Sequence, residues 1–402
     1  MTLEYFIGIG FPLVLIAISG HIIWKSTDSF ETAADYLGRK MSHGVKGATL
    51  NAVASSMPEF LTTMFFLFYI RDEDIFADSF SGGLGVVAGS AVFNILVIPL
   101  AIILFGGIMV QGGLRIQRNV IKRDGLFLVL SNIVLIAIVA QQELRVIHGL
   151  ILVVMYLFYL VLLRKGLGIG NNVETDESKY TIPKIPLRFR HFILLEVKHL
   201  LLNGKKLNRR SAWGTLVIST AVMSAGTWML VEGTKLLGEG TYGSGSRLAD
   251  LLGVKAFHGL DIPLVFLSVL LAAAATSIPD TMISVRDTRK GNHDDAISNA
   301  IGSNIFDISF AIGFPMLLYT LIHGNITMSA EIQLLSFGIL IAMWFINIAV
   351  VLLFIPKGIN TRIKAVALFT IYLLFILFIV AERNEKLSSL FESLISFIQR
   401  IF

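Results

Sequence analysis

Along the 402 residues, long apolar runs alternate with short polar stretches. A membrane-crossing helix needs about 20 mostly apolar residues. Runs of that kind occupy 5–24, 44–70, 82–107, 125–141, 146–163, 212–235, 261–288, 295–322, 331–355 and 364–381, which predicts about ten spanning helices. The runs 44–70 and 261–288 each carry a proline beside an acid and are expected to be interrupted. The N-terminal run has neither a basic leader nor a small-residue cleavage site, so 5–24 is expected to be a retained span. The expected fold class is an all-α polytopic membrane protein.

One long polar segment, 164–211, divides the chain into 1–163 and 212–402, each with five runs. The halves are repeats. Ala34-Asp35-x-Leu37-Gly38-x-Lys40-x-x-His43-Gly44 recurs as Ala249-Asp250-x-Leu252-Gly253-x-Lys255-x-x-His258-Gly259. Ser55-Ser56-Met57-Pro58-Glu59 returns as Thr276-Ser277-Ile278-Pro279-Asp280, and Gly89-Ser90-Ala91-Val92-Phe93-Asn94 as Gly302-Ser303-Asn304-Ile305-Phe306-Asp307. An odd number of spans per half makes the second copy enter the membrane from the opposite side. The expectation is therefore two inverted five-helix repeats, with the working site on interrupted helices near the midplane.

Composition agrees. Only 15% of the residues are charged and the mean hydropathy is +0.76, against roughly 25% charged residues in soluble domains. There is no cysteine, which excludes disulfides, thiolate chemistry and Cys-ligated zinc. The net charge of +5 matters through its placement. Arg115, Arg118, Lys122 and Arg123, the 164–211 linker with eleven Lys/Arg against four Asp/Glu, Arg286, Arg289 and Lys290, and Lys357, Arg362 and Lys364 all fall on one face of a ten-span chain. The positive-inside bias makes that face cytoplasmic and puts both termini outside. The linker stretch 188–210 reads as a basic amphipathic surface helix, and the tail 384–402 as a helix on the outer surface. Asp72, Glu73 and Asp74 read as a solvated outer loop. The partner expected is the lipid bilayer, not nucleic acid, and the sequence leaves the oligomeric state open.

The repeated motifs carry the chemistry. Ser55 and Glu59, Ser90 and Asn94, Thr276 and Asp280, and Ser303 and Asp307 are each four residues apart, so each pair shares one helix face. Acids inside apolar spans are costly and mark function, and no Lys or Arg lies near Glu59 or Asp280 in its run. Oxygen is the only ligand type offered, which suits hard cations; Ca2+ takes about 6–8 oxygens. Pro58 and Pro279 are expected to free the carbonyls of Ala54 and Ala275. Glu59 and Asp280 supply two negative charges and Asp307 a third, enough for one Ca2+, for two to three Na+, or for protons. For any single hydroxyl, back-bonding to its own helix competes with ligation.

The stretches GATLNAVASSMPEF with GSAVFNIL, and ATSIPDTMISV with AISNAIGSNIFDI, resemble the two alpha repeats of the cation/Ca2+ exchanger superfamily. Within it they are most similar to the potassium-dependent sodium/calcium exchangers. The first motif region is 45–100 and the second 270–313. The resemblance implies a secondary antiporter that swaps Na+, with or without K+ co-transport, for Ca2+ across the cell (plasma) membrane. It implies no enzyme activity and no cofactor, the ions being cargo. By position, Glu59 and Asp280 match the paired acids that ligate Ca2+, with carbonyls at Ser55 and Thr276. Asn94 and Asp307 match the central polar pair. Ser56, Ser277, Ser90 and Ser303, with carbonyls at Ala52 and Ala273, match positions associated with Na+. The linker is too short for the large regulatory Ca2+-binding domains of animal exchangers, and Ala54 stands where many members have glycine.

Two other readings compete. A Ca2+/H+ or other divalent cation/H+ antiporter of the same fold would use the acids as proton carriers, but leaves the hydroxyls without a task. An intramembrane hydrolase using Asp280 and Asp307 leaves the copy in the first half unexplained.

Overall fold

The computed structural model describes residues 3–39, 52–70, 76–106, 118–141, 143–166, 182–184, 186, 196–291, 293–355, 361–381, 392–393 and 395–400. In the first half the helices are α1 (Leu3–Leu37), α2 (Ala52–Ser55), α3 (Met57–Tyr69), α4 (Phe76–Phe105), α5 (Arg118–Val139) and α6 (Val146–Gly166). A short linker helix follows, α7 (Val197–Leu202). The second half has α8 (Arg209–Gly238), α9 (Arg247–Leu251), α10 (Leu264–Leu267), α11 (Ala273–Arg289), α12 (His293–Phe306), α13 (Ile312–His323), α14 (Ala330–Phe354) and α15 (Thr361–Ala381). Wider π turns join α10 to α11 (Ser268–Ala272) and α12 to α13 (Asp307–Ala311).

Among the described residues, eight helices are long and apolar enough to cross a membrane. The two other expected spans fall on the α2–α3 pair, whose run begins in undescribed residues, and on α5. Burial sorts the spans into layers. Of an 18-residue apolar stretch within Ser79–Phe105, Leu264–Arg289 and Ala296–His323, 83%, 72% and 67% is buried, against 28% and 17% within Val146–Leu163 and Thr361–Ile379. The peripheral helices present Phe158, Val161, Phe369 and Leu374 outward, as lipid-facing helices do; the helices that carry the duplicated motifs form the centre.

Glycine contacts reveal helix direction. A Cβ at Gly226 would meet Ile22, and one at Gly233 would meet Ile16 and Pro12. Contacts thus descend α1 as they ascend α8, so these two first helices of the halves run antiparallel. Along α4 the order is the opposite: Gly82 faces Leu264, Gly85 faces Val265, and Gly89 faces Val269 and Ala273. Central α4 and the α10–α11 unit therefore run parallel. Antiparallel first helices are what two inverted copies require, and the chain folds as two inverted repeats.

Each end of the bundle is tied by its own contacts. At one end, Glu143–Leu144 (β1) pairs antiparallel with Ile326–Thr327 (β2). There also Tyr242 donates to the Gly8 carbonyl at 2.9 Å and Tyr5 stacks on His258 at 4.7 Å. At the other end, Arg286 grips Glu31 with two bonds from Nη2, 2.8 and 2.7 Å long, and reaches Asp28 at 3.4 Å. Lys198 of the linker helix pairs with the same Asp28, and Lys25 with Glu196 at 3.3 Å. Arg289 caps the Phe105 carbonyl at 2.9 Å. The basic groups at 198, 286 and 289 thus share one face. Asn208 starts α8 with a capping box, its Oδ1 accepting from the Ser211 amide at 2.8 Å while Ser211 Oγ accepts from the Asn208 amide at 2.9 Å.

One expectation is corrected. The run 261–288 is not broken at its proline: Pro279 lies inside α11, and the irregularity is the π turn before it. A π turn widens the helix without ending it, so the chain stays helical through Pro279. In the first half the interruption is real: a bend at Ser56 separates α2 from α3, with Pro58 in the first turn of α3, where its missing N–H costs nothing. His43, Lys40, the 71–75 acids, Arg115, Lys357 and much of the linker and tail lie outside the described residues.

Candidate cation site

The α2–α3 pair brings Ser55, Ser56 and Glu59; α4 brings Ser90 and Asn94; α11 brings Thr276, Ser277 and Asp280; α12 and its π turn bring Ser303 and Asp307. All ten side chains are fully buried. Among the described residues no Lys, Arg or His pairs with Glu59, Asp280 or Asp307.

Ser90 is the hub of the first half. Its Oγ lies 3.1 Å from Glu59 Oε1 and 3.2 Å from Asp307 Oδ2, and it accepts from Ser277 Oγ at 3.0 Å and Asn94 Nδ2 at 3.3 Å. One hydroxyl proton serves only one carboxylate at a time. Ser303 has the matching place in the second half, donating to Asp280 Oδ1 at 3.2 Å and standing 3.2 Å from Ser55 Oγ. Thr276 approaches Glu59 and Ser55 approaches Asp280. Each acid therefore meets the hydroxyl that lies four residues before the other acid.

Back-bonding and ligand placement coexist here. Ser55 Oγ donates to the Ala52 carbonyl at 3.3 Å and Thr276 Oγ1 to the Ala273 carbonyl at 3.1 Å. A hydroxyl whose proton lies there offers its lone pairs to the site; turned the other way it donates to the neighbouring carboxylate, one bond at a time. Ser90, Ser277 and Ser303 instead turn toward side chains of other helices.

Four acceptors are left over: Glu59 Oε2, Asp280 Oδ2, Asp307 Oδ1 and Asn94 Oδ1 are buried and meet no donor, while Ser56 Oγ stands beside Asp307 without a full hydrogen bond. A buried, unpaired carboxylate oxygen is expensive unless a cation or proton joins it. Among the described residues no three His, Asp or Glu side chains are grouped closely enough to hold an ion alone. A cation here would complete its shell with hydroxyl, amide and backbone oxygens.

Close packing fixes the positions. A Cβ on Gly89 would lie 2.2 Å from the Val269 carbonyl and 2.6 Å from Ala273 Cβ. The glycine thus seats Ser90 against the turn leading into Thr276, and packing and site share the same residues. Two contributors are absent from the sequence-based set. Asn299 Nδ2 donates to Asp280 Oδ1 at 3.4 Å, and Asn304 Nδ2 to the Ala91 carbonyl at 2.8 Å. Asn299 was legible as one more step of the four-residue ladder through Ser303 and Asp307; Asn304 gave no such signal.

The family model described as "Sodium/calcium exchanger protein" matches residues 11–165 and 211–381. The sodium/potassium/calcium exchanger 4 of Mus musculus is 32% identical over 168 residues, 37% of this chain and 25% of that protein. The sodium/potassium/calcium exchanger 5 of Homo sapiens is 30% identical over 200 residues, 48% of this chain and 35% of that protein. The matches thus span about a quarter to a third of those relatives' lengths. Among solved structures, the H+/Ca2+ exchanger CAX aligns over 97% of this chain and 92% of that one, with TM-score 0.53 and 13% identity. The sodium-calcium exchanger NCX_Mj aligns over 94% and 100%, with TM-score 0.51 and 18% identity. At such identities these likenesses speak for the fold.

Proposed function

We propose that this chain, which belongs to the sodium/calcium exchanger protein family, is a secondary antiporter that exchanges Na+ for Ca2+ by alternating access. One observation carries the reading: Glu59 and Asp280, fully buried and without a basic partner among the described residues, each meet hydroxyls of both inverted halves. A site built equally from two inverted copies is reachable from either face by equivalent rearrangements. In this reading Glu59 and Asp280 ligate Ca2+ with the Ser55 and Thr276 carbonyls, while Ser56, Ser277, Ser90 and Ser303, with the Ala52 and Ala273 carbonyls, hold Na+.

Charge balance supports the coupling. Glu59, Asp280 and Asp307 together carry three negative charges when ionised. Three Na+ neutralise them, as do one Ca2+ and one K+, or one Ca2+ and a proton on Asp307. This makes Asp307, the repeat counterpart of Asn94, the residue through which K+ co-transport would enter. The positive-inside bias puts the Arg286 face in the cytoplasm and both termini outside, in a multi-pass protein of the plasma membrane.

Proton coupling in the same fold is the competing reading, and it gives the serine hydroxyls no ligand role. Binding of Ca2+ to the purified protein, with Na+ varied at fixed pH and pH varied without Na+, separates the two. Competition by Na+ at constant pH supports Na+ coupling; Ca2+ binding that ignores Na+ and follows pH alone contradicts it.

A further inference from the structure

The inverted halves are not equal on the two sides of the site. From Asp280 toward the basic face, α11 continues with Ser284 and Thr288 at four-residue steps, both fully buried. Ser284 Oγ donates to the Ala296 carbonyl of α12 at 3.3 Å, and Thr288 Oγ1 to the Ser284 carbonyl at 2.8 Å. On α12, Asn299 stands one turn closer to the basic face than Ser303 and is 1% exposed. Its amide group donates to Asp280 Oδ1 at 3.4 Å, while its own Oδ1 is buried and meets no donor.

The opposite half lacks the amide and the outer hydroxyl of this series. The repeat relation that pairs Ser303 with Ser90 pairs Asn299 with Val86, and the one that pairs Asp280 with Glu59 pairs Thr288 with Leu67. Val86 and Leu67 are fully buried. Thr63, the counterpart of Ser284, spends its hydroxyl on the Glu59 carbonyl of its own helix at 2.9 Å. One helical turn from the acids toward the basic face the structure holds a buried amide oxygen; one turn toward the other face it holds Val86.

We propose that Asn299 is a way-station ligand: its Oδ1 accepts the cation in transit between Asp280 and the basic face, a second and one-sided binding position without a counterpart in the first half. This rests on the cation-exchange reading above. An amide oxygen suits the task because it is a hard, neutral ligand of the kind Ca2+ accepts. It lowers the cost of stripping water from the ion without adding charge that would trap it. The consequence is functional asymmetry: the cation enters and leaves more readily through the basic face than through the other.

The test compares Na+-driven Ca2+ transport by inside-out and right-side-out vesicles from cells expressing the full chain. Half-saturating Ca2+ is measured on each face for wild type, Asn299→Val, Asn299→Ser and Val86→Asn. Asn299→Val should raise half-saturating Ca2+ about tenfold on the basic face, the scale of one lost bond to a charge, and change it much less on the other. Asn299→Ser, which keeps an oxygen, should shift it less than valine does. Val86→Asn should lower half-saturating Ca2+ on the opposite face. If Asn299 only steadied Asp280, both faces would shift together, because both lead to the same acid; equal shifts, or none, overturn the proposal. Should Asn299→Val fail to fold, Val86→Asn and Asn299→Ser decide alone. A wild type that moves no Ca2+ in either vesicle type refutes the parent reading instead.

Discussion

Ser55 Oγ lies 3.2 Å from Ser303 Oγ, although 248 residues separate them. Ser303 also donates to Asp280, and Ser55 approaches the same carboxylate from the other half. Two hydroxyls from opposite copies thus attend one acid. Replacing Ser303 by Ala removes a bond to a charged group, worth roughly 1.5–3 kcal/mol. Apparent Ca2+ affinity should fall by about 10- to 100-fold while the protein stays folded, as equilibrium binding and size-exclusion profiles would show. Unchanged affinity would remove Ser303 from the site.

The acids themselves should be indispensable. Glu59→Gln and Asp280→Asn keep side-chain size but each removes one of the charges proposed to hold the cation. Either should nearly abolish Ca2+ transport, read as tracer uptake into proteoliposomes, with thermal stability equal to or above wild type because an unpaired buried charge is gone. Full activity in either variant contradicts the assignment.

Asp307→Asn leaves two negative charges, which a single Ca2+ neutralises. If Asp307 supplies the third charge, any stimulation of Ca2+ uptake by external K+ in the wild type should vanish in this variant while Na+-driven uptake persists. Uptake by the variant that still rises with K+ would place the K+ requirement elsewhere.

Much of this site could be read from the chain. The four-residue spacing of Ser55 to Glu59 and of Ser303 to Asp307 named the inward faces, because helix geometry is local. The duplication named the inversion, which the antiparallel run of α1 against α8 then displays. What escaped was non-local. Nothing about Pro279 says whether its helix breaks, since a π turn at Ser268–Ala272 absorbs the irregularity upstream. Nor does the sequence say that the bond partner of Asn304 is the carbonyl of Ala91, its counterpart in the first half; that pairing exists only once the halves are docked.

Docking depends on absent side chains. At Gly89 an added Cβ would sit 2.2 Å from the Val269 carbonyl, and backbone cannot step aside as a flexible side chain can. Gly89→Ala should cost about 1–3 kcal/mol through overpacking, seen as a lower melting temperature in detergent. It should also depress transport, because Ser90 is carried on the displaced turn.

At the basic face, the Glu31 side chain is 8% exposed and bound twice by Arg286, whose side chain is 44% exposed. Glu31→Gln breaks the pair yet leaves the cation a route to water, so the expected loss is about 1–3 kcal/mol, below that of a wholly buried pair. Chemical unfolding of the purified protein would measure it. Loss of stability with the site intact would mark Arg286 as a tie between α1 and α11 and not as a ligand.

The most direct test is Ca2+ flux in proteoliposomes loaded with Na+ and diluted into Na+-free medium, with K+ and pH clamped separately. A Na+/Ca2+ exchanger accumulates Ca2+ above its external concentration only while the Na+ gradient lasts, and loses this ability in Glu59→Gln. Ca2+ that never rises above equilibrium, or that accumulates with a pH gradient and no Na+, contradicts the account.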